Sequence, residues 1–113
     1  MALETLDFRR LEGAVIASLG GEIDISNARS VRERLLDAVP NTATSLVLDL
    51  SDAGYLDSSG VRVIFELAGR LRSRGQKLEL VVPDDSVIRR VLLLTEVQRV
   101  VPMSVSVDAA LGS

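Results

Sequence analysis

The sequence predicts an α/β fold built on a mixed central sheet, and three observations carry that reading. Near-continuously apolar runs such as Leu46-Val47-Leu48-Asp49-Leu50 alternate with segments whose apolar residues recur at three-and-four spacing. Ahead of that alternation, Glu12-Gly13 separates two strand-like runs and reads as a hairpin. The helix, strand, helix, strand, helix order that follows implies parallel strands joined by right-handed crossovers, with the antiparallel hairpin at one edge.

Strands are predicted at residues 6–10 and 14–19, with Gly20-Gly21 closing the second. A first helix follows, in which Ala28, Val31, Leu35 and Ala38 share a face, capped by Ser26 or Asp24 and ended by Pro40. Residues 44–50 form a third strand, apolar enough to be covered on both faces or to lie at the sheet centre. Residues 51–56 read as a turn containing Gly54. A second helix over 58–74 buries Val61, Ile64, Phe65, Ala68 and Leu71, and Gly75 stops it. A fourth strand over 78–82 ends at Pro83, and Asp84-Asp85-Ser86 starts a third helix with Val87, Ile88, Val91 and Leu92 inward. A short strand near 99–101 and a helix over 105–111 complete the expectation. No repeat, linker or low-complexity segment interrupts it, so residues 1–113 are expected to form a single domain with about four helices flanking the sheet.

Composition removes several function classes. Hydrophobic residues are 47% and charged residues 26%, an ordinary globular balance, but aromatics are only 3%, so the core must be built from Val, Leu, Ile and Ala. A formal net charge of -3 and the scarcity of aromatic rings for stacking argue against nucleic acid as a partner. Cysteine is absent, which excludes disulfides, a thiol nucleophile and zinc-thiolate chemistry. Histidine is absent too, which removes the usual general base, the Ser-His-Asp triad and the commonest metal ligand. No catalytic residue, cofactor or metal is expected. The start of the chain lacks a secretory pattern and no apolar run approaches the ~20 residues of a membrane span, so a cytoplasmic protein with no membrane partner, monomeric or weakly dimeric, is expected. Lys77 is the sole lysine and is assigned no role.

The stretch with chemical promise is Asp57-Ser58-Ser59-Gly60, between the apolar strand and the second helix. Helix N-termini leave backbone N–H groups unpaired and carry positive potential, so a phosphoryl group on Ser58 or Ser59 would be partly stabilised there. The plainer reading is that Asp57 or Ser58 is an N-cap, worth roughly 1 kcal/mol.

With that tetrapeptide at that station, the chain resembles the STAS domain family, in particular its anti-sigma-factor antagonists. The family's Gly-Glu-(apolar)-Asp segment after the second strand is matched by Gly21-Glu22-Ile23-Asp24, and Ile88 to Thr95 is similar to its third helix, although Glu96 stands where the family commonly has Gly. The resemblance implies a single STAS domain that, when dephosphorylated, binds an anti-sigma factor serine kinase and frees a sigma factor. It implies that Ser58 is the phosphorylated residue, that Asp24, Asp57, Ser59 and Gly60 belong to the partner-binding surface, and that a metal-dependent serine phosphatase reverses the modification.

A serine hydrolase centred on Ser58 lacks a histidine base and the Gly-x-Ser-x-Gly elbow. A receiver domain using Asp49, Asp52 and Asp57 around Mg²⁺ would need a lysine after a late strand, whereas Lys77 precedes one. Two further roles within the same family remain open: a scaffold subunit of a stress-signalling complex, or a soluble accessory subunit of a lipid-transport ATPase. The arginines Arg62, Arg70, Arg72 and Arg74 read as a solvated helix face, with an acidic partner as the alternative.

Overall fold

The computed structural model describes residues 4–112. Six strands form one sheet: β1 (Glu4–Leu11), β2 (Ala14–Ile23), β3 (Ser45–Asp49), β4 (Ala53–Leu56), β5 (Lys77–Val81) and β6 (Met103–Ser104). Their order is β1-β2-β3-β5-β6, with β4 pairing β2 beyond the end of β3. Among the described residues only β1 and β2 are antiparallel, in register from Leu11↔Ala14 to Glu4↔Gly21; every other pairing is parallel. The helices are α1 (Ala28–Asp37), α2 (Ser58–Ser73), α3 (Arg89–Leu94) and α4 (Val107–Leu111).

The central strand explains its own sequence. Leu46 and Leu48 join the main core with α1 and α2, whereas Val47 points to the other face with Ile16, Val81 and Ala110 of α4. A strand buried on both sides has no use for alternation. The core is aliphatic, since Phe8, Phe65 and Tyr55 are all substantially exposed. Phe65 thus lies off the buried face assigned to it, while Val61, Ile64, Ala68 and Leu71 are buried on it.

Several boundaries differ from expectation for identifiable reasons. The hairpin strands are longer, and β2 runs past Gly20-Gly21 to Ile23, because Gly21 takes φ +86° and absorbs a register shift before Glu22. That extension offers a free edge, and part of the predicted turn over 51–56 takes it as β4, pairing Ala53 with Gly21 and Leu56 with Ile23. The third helix begins at Arg89 rather than at Asp84: Ser86 N–H closes a turn on the Pro83 carbonyl at 3.0 Å, leaving Val87 73% exposed, with Val91 only half-covered. Ile88 and Leu92 are buried as expected. Residues Val97–Arg99 form a 3-10 turn and the last strand falls at Met103–Ser104, after the expected 99–101. The final helix starts at Val107, where the Ser106 hydroxyl accepts the Ala109 N–H at 3.1 Å.

Glu96, where a glycine is commonly found, has φ +60° and ψ +28°. A left-handed non-glycine residue costs about 1–2 kcal/mol, part of which glycine gives back in unfolded-chain entropy. Glu96 makes only an exposed 3.4 Å pair with Arg99, which returns little. Glu96→Gly is therefore expected to stabilise the fold by about 1 kcal/mol, seen as a higher urea midpoint at unchanged slope; a lower midpoint would show that the Arg99 contact outweighs the backbone.

Candidate functional site

At the C-terminal end of the parallel strands, β4 delivers the chain into α2 through Asp57. Its backbone N–H reaches the Ile23 carbonyl at 3.2 Å, continuing the β2–β4 ladder by one bond. Its carboxylate then divides its work. Oδ1 accepts the N–H groups of Ser59 (2.8 Å) and Gly60 (3.1 Å), capping α2, while Oδ2 accepts the Ile25 N–H at 3.2 Å from the β2–α1 loop. Of the two cap candidates, Asp57 is the cap. Gly60 is buried against β2, where a Cβ would meet the Ile23 carbonyl oxygen and Leu56 Cδ2, each at 3.1 Å. Gly60 therefore lets the helix approach the strand.

Ser58 is exposed, and its hydroxyl has no hydrogen-bond partner among the described residues. Ser59 is half-buried beside it. The phosphate-welcoming N–H groups expected here are partly spoken for, since Asp57 already accepts two of them and brings a negative charge to the same place. A phosphoryl group on Ser58 would face a carboxylate as well as the helix dipole.

Asp24 lies in the loop that Asp57 holds. Its Oδ1 accepts the Ser26 N–H at 2.9 Å and the Ser26 hydroxyl at 2.5 Å. The hydroxyl bond first, and the Ser26 backbone bond second, hold the Asp24 carboxyl below the usual carboxylate range. Asp24 and Ser26 were the expected caps of α1, but neither side chain performs that role: Asn27 occupies the N-cap position, and it is the Asp24 carbonyl that accepts the Ala28 N–H at 2.9 Å. Asn27 is a residue that sequence reasoning missed. Buried, it accepts the Asp24 N–H at 2.9 Å and donates to the Glu22 carbonyl (2.9 Å) and to Glu4 Oε1 (2.7 Å), tying the loop to β1. An Asn directly before a helical pattern is the signal that could have found it.

Asp24, Asp57, Ser58 and Ser59 are thus brought to one edge, flanked by the exposed side chains of Ile25 and Tyr55. Asp49, by contrast, accepts the Ser51 N–H and hydroxyl in its own turn, and among the described residues no group of three or more acidic, His or Cys side chains could hold a metal ion. The receiver arrangement is not assembled. Beside Ser59, an open groove of about 380 Å³ runs between α1 and α2. It is lined by Arg29 and Arg32, which sequence reasoning did not single out, and by Arg62, which it did. A larger groove of about 500 Å³ sits at the opposite end of the strands, among Gly13, Thr44, Lys77 and Glu79, and includes none of the motif residues. Among the described residues no helix is long and apolar enough to cross a membrane.

The STAS domain family model matches residues 5–110. The chain is similar to the anti-sigma-F factor antagonist RsfB of Mycobacterium tuberculosis, 37% identical over 79 residues that cover 69% of this chain and 62% of that protein. It therefore spans about three-fifths of the length of that curated relative. In fold it is similar to the crystal structure of an anti-sigma factor antagonist from Mycobacterium paratuberculosis, with a TM-score of 0.85 at 24% identity over 97% of this chain and 92% of that one. A candidate anti-sigma factor antagonist from Thermotoga maritima superposes with a TM-score of 0.80 at 27% identity, over 95% and 92% of the two chains.

Two outcomes follow from the site geometry. Asp57→Ala removes a cap and a loop tether together and is expected to cost about 1–2 kcal/mol, with Asp57→Asn retaining most of the stability; faster hydrogen exchange at the Ile25 amide in the Ala variant would report the lost tether, and an unchanged midpoint would refute the cap. Ser26→Ala should raise the Asp24 pKa toward its ordinary value, followed by carboxyl NMR titration. Because the folded value is depressed, the stability contributed by this turn is complete above about pH 4 and is lost as pH falls through the folded pKa.

Proposed function

The chain belongs to the STAS domain family, and on that premise we propose that it is an anti-sigma-factor antagonist switched by phosphorylation of Ser58. The observation that carries this reading is the exposed, unengaged Ser58 hydroxyl on the first residue of a helix whose start is fixed by Asp57. Similarity to RsfB, an anti-sigma-F factor antagonist, supports it from the side of sequence. In the dephosphorylated form the protein binds an anti-sigma factor that is itself a serine kinase, and the sigma factor is freed.

The chemistry required of this chain is small. Ser58 Oγ attacks the γ-phosphorus of the kinase's nucleoside triphosphate, the bond to the nucleoside diphosphate breaks, and the hydroxyl proton passes to a base. No side chain of the described residues accepts a hydrogen bond from Ser58, so that base belongs to the kinase. The phosphoserine then carries about -1.5 to -2 charge at neutral pH beside Asp57, and a surface built to meet the neutral hydroxyl meets a dianion instead. Since Asp57 and Gly60 fix the helix start without help from Ser58, partner release needs no refolding. A metal-dependent serine phosphatase resets the site. Asp24, Asp57 and Ser59 frame the contact surface.

Mixing the protein with candidate anti-sigma kinases and ATP should add one phosphate by intact mass, lost in Ser58→Ala and retained in Ser59→Ala. By calorimetry Ser58→Ala should bind the kinase as tightly as the unmodified protein, and Ser58→Asp at least about tenfold more weakly, a difference of about 1.4 kcal/mol. Equal affinities for the two variants would sink the switch.

A further inference from the structure

We propose that the groove between the first turns of α1 and α2 receives an acidic, Asp- or Glu-bearing segment of the anti-sigma factor, and that phosphate on Ser58 closes it by cancelling the charge of Arg29 and Arg62. The proposal rests on the antagonist reading above and adds the surface through which it works.

The groove has three guanidinium groups from two helices along it, Arg29 and Arg32 of α1 and Arg62 of α2, against the single carboxylate of Glu66. Arg32 is committed: its guanidinium donates to Glu66 Oε2 at 3.0 Å and to Glu33 Oε1 at 3.2 Å, joining α1 to α2 and forming one wall. Arg29 and Arg62 are exposed and have no ion pair among the described residues. A lone charged helix face is ordinarily just solvated. Here, however, two uncompensated cations from different elements share one concave surface, on a chain whose net charge is -3. Charge complementarity therefore selects an anionic occupant. The lip selects its kind. Ile25, 83% exposed at the groove's edge, offers apolar surface that a small inorganic anion would leave uncovered, whereas a peptide segment can cover it.

The link to Ser58 is helical spacing. Ser58 and Arg62 stand at i and i+4 on α2, and Ser59 and Arg62 at i and i+3, so they are surface neighbours. Phosphorylation would place about -1.5 to -2 charge beside Arg62, within the Debye length of about 8 Å at physiological salt. That charge is of the same size as the two free arginine charges, so the groove's attraction for carboxylates is lost with the backbone unmoved.

The test is calorimetric titration of the anti-sigma kinase with the full chain carrying no substitution, Ser58→Asp, Arg29→Ala with Arg62→Ala, and all three together, at low and at about tenfold higher salt. The double arginine variant should lose roughly 10–100-fold in affinity and most of the salt dependence. Adding Ser58→Asp to it should cost less than about twofold, because both changes act on one field. Thermal melts should stay unchanged, since neither arginine has an ion pair among the described residues to lose, and Arg70→Ala, outside the groove, should bind normally. If the double variant binds with unchanged affinity and salt slope while Ser58→Asp alone still weakens binding, the groove is excluded and the antagonist reading stands. If no form, the unsubstituted chain included, binds the kinase, both fall. Full additivity of the two effects would overturn the closure of the groove by phosphate. Saturable shifts of the Arg29 and Arg62 Nε signals by inorganic phosphate alone would assign the groove to a small anion and overturn the peptide occupant.

Discussion

The site depends on one carboxylate. Asp57 accepts three backbone N–H groups from two separate segments, and its own N–H extends the β2–β4 ladder. One side chain thereby sets where α2 begins, how closely the β2–α1 loop lies against it, and which residue of the Ser58-Ser59 pair is left outward. A charge-assisted bond to a backbone donor is stronger than a neutral one, and three of them on one group make its geometry hard to vary independently. The position of Ser58 follows from Asp57 without any contact of its own.

The sheet supplies the remaining constraint. Because β2 pairs β3 along its first half and β4 along its second, the chain leaves β3 at Leu50, whose N–H turns to the Val81 carbonyl at 2.9 Å, and returns to β2 three residues later. This detour carries Asp57 to the end of β2, where Ile23 and Gly60 can touch. A side chain at position 60 would push α2 off the strand by a few tenths of an ångström, enough to strain bonds of the length Asp57 makes. Packing and capping are thus two requirements on the same four residues, which is why Asp57-Ser58-Ser59-Gly60 stands out in the sequence at all.

What was legible in the sequence is what depends on local chemistry. The aliphatic strands, the start of α2 at an Asp, its end at Gly75 and the hairpin at Glu12-Gly13 are each encoded within a few residues. Features created by pairing across the chain were not legible. Residues 51–56 read as a turn because Gly54 lies among them, and 53–56 become a strand only because Gly21 bends β2 past its apparent end. Asn27 looks like an ordinary polar residue until Glu4, 23 positions away, accepts its amide. Asp84-Asp85 imitates a helix start, but Pro83 and Ser86 form a turn first. The arginine groove shows the same limit, since Arg29 and Arg62 acquire a shared surface only when α1 and α2 pack side by side.

Electrostatic engagement also sorts the residues around Ser58 by what they have left to offer a partner. Asp24 is occupied by Ser26 and Asp57 by three N–H groups, so both carboxylates serve the loop and helix before they serve any second protein. Among the described residues, the groups there without internal commitments include the Ser58 and Ser59 hydroxyls, the exposed Ile25 and Tyr55 side chains, and Arg29 and Arg62. A rigid, internally satisfied pair of acids beside free cations and a free hydroxyl is a surface whose field one phosphate can invert. A hydrogen-bonded hydroxyl at position 58 would instead have to break a bond before reacting, and its modification would disturb the fold. Under the proposed switch, an unbonded Ser58 separates modification from stability: adding a phosphate there and removing it would leave the Asp57 cap and the packing of Gly60 in place.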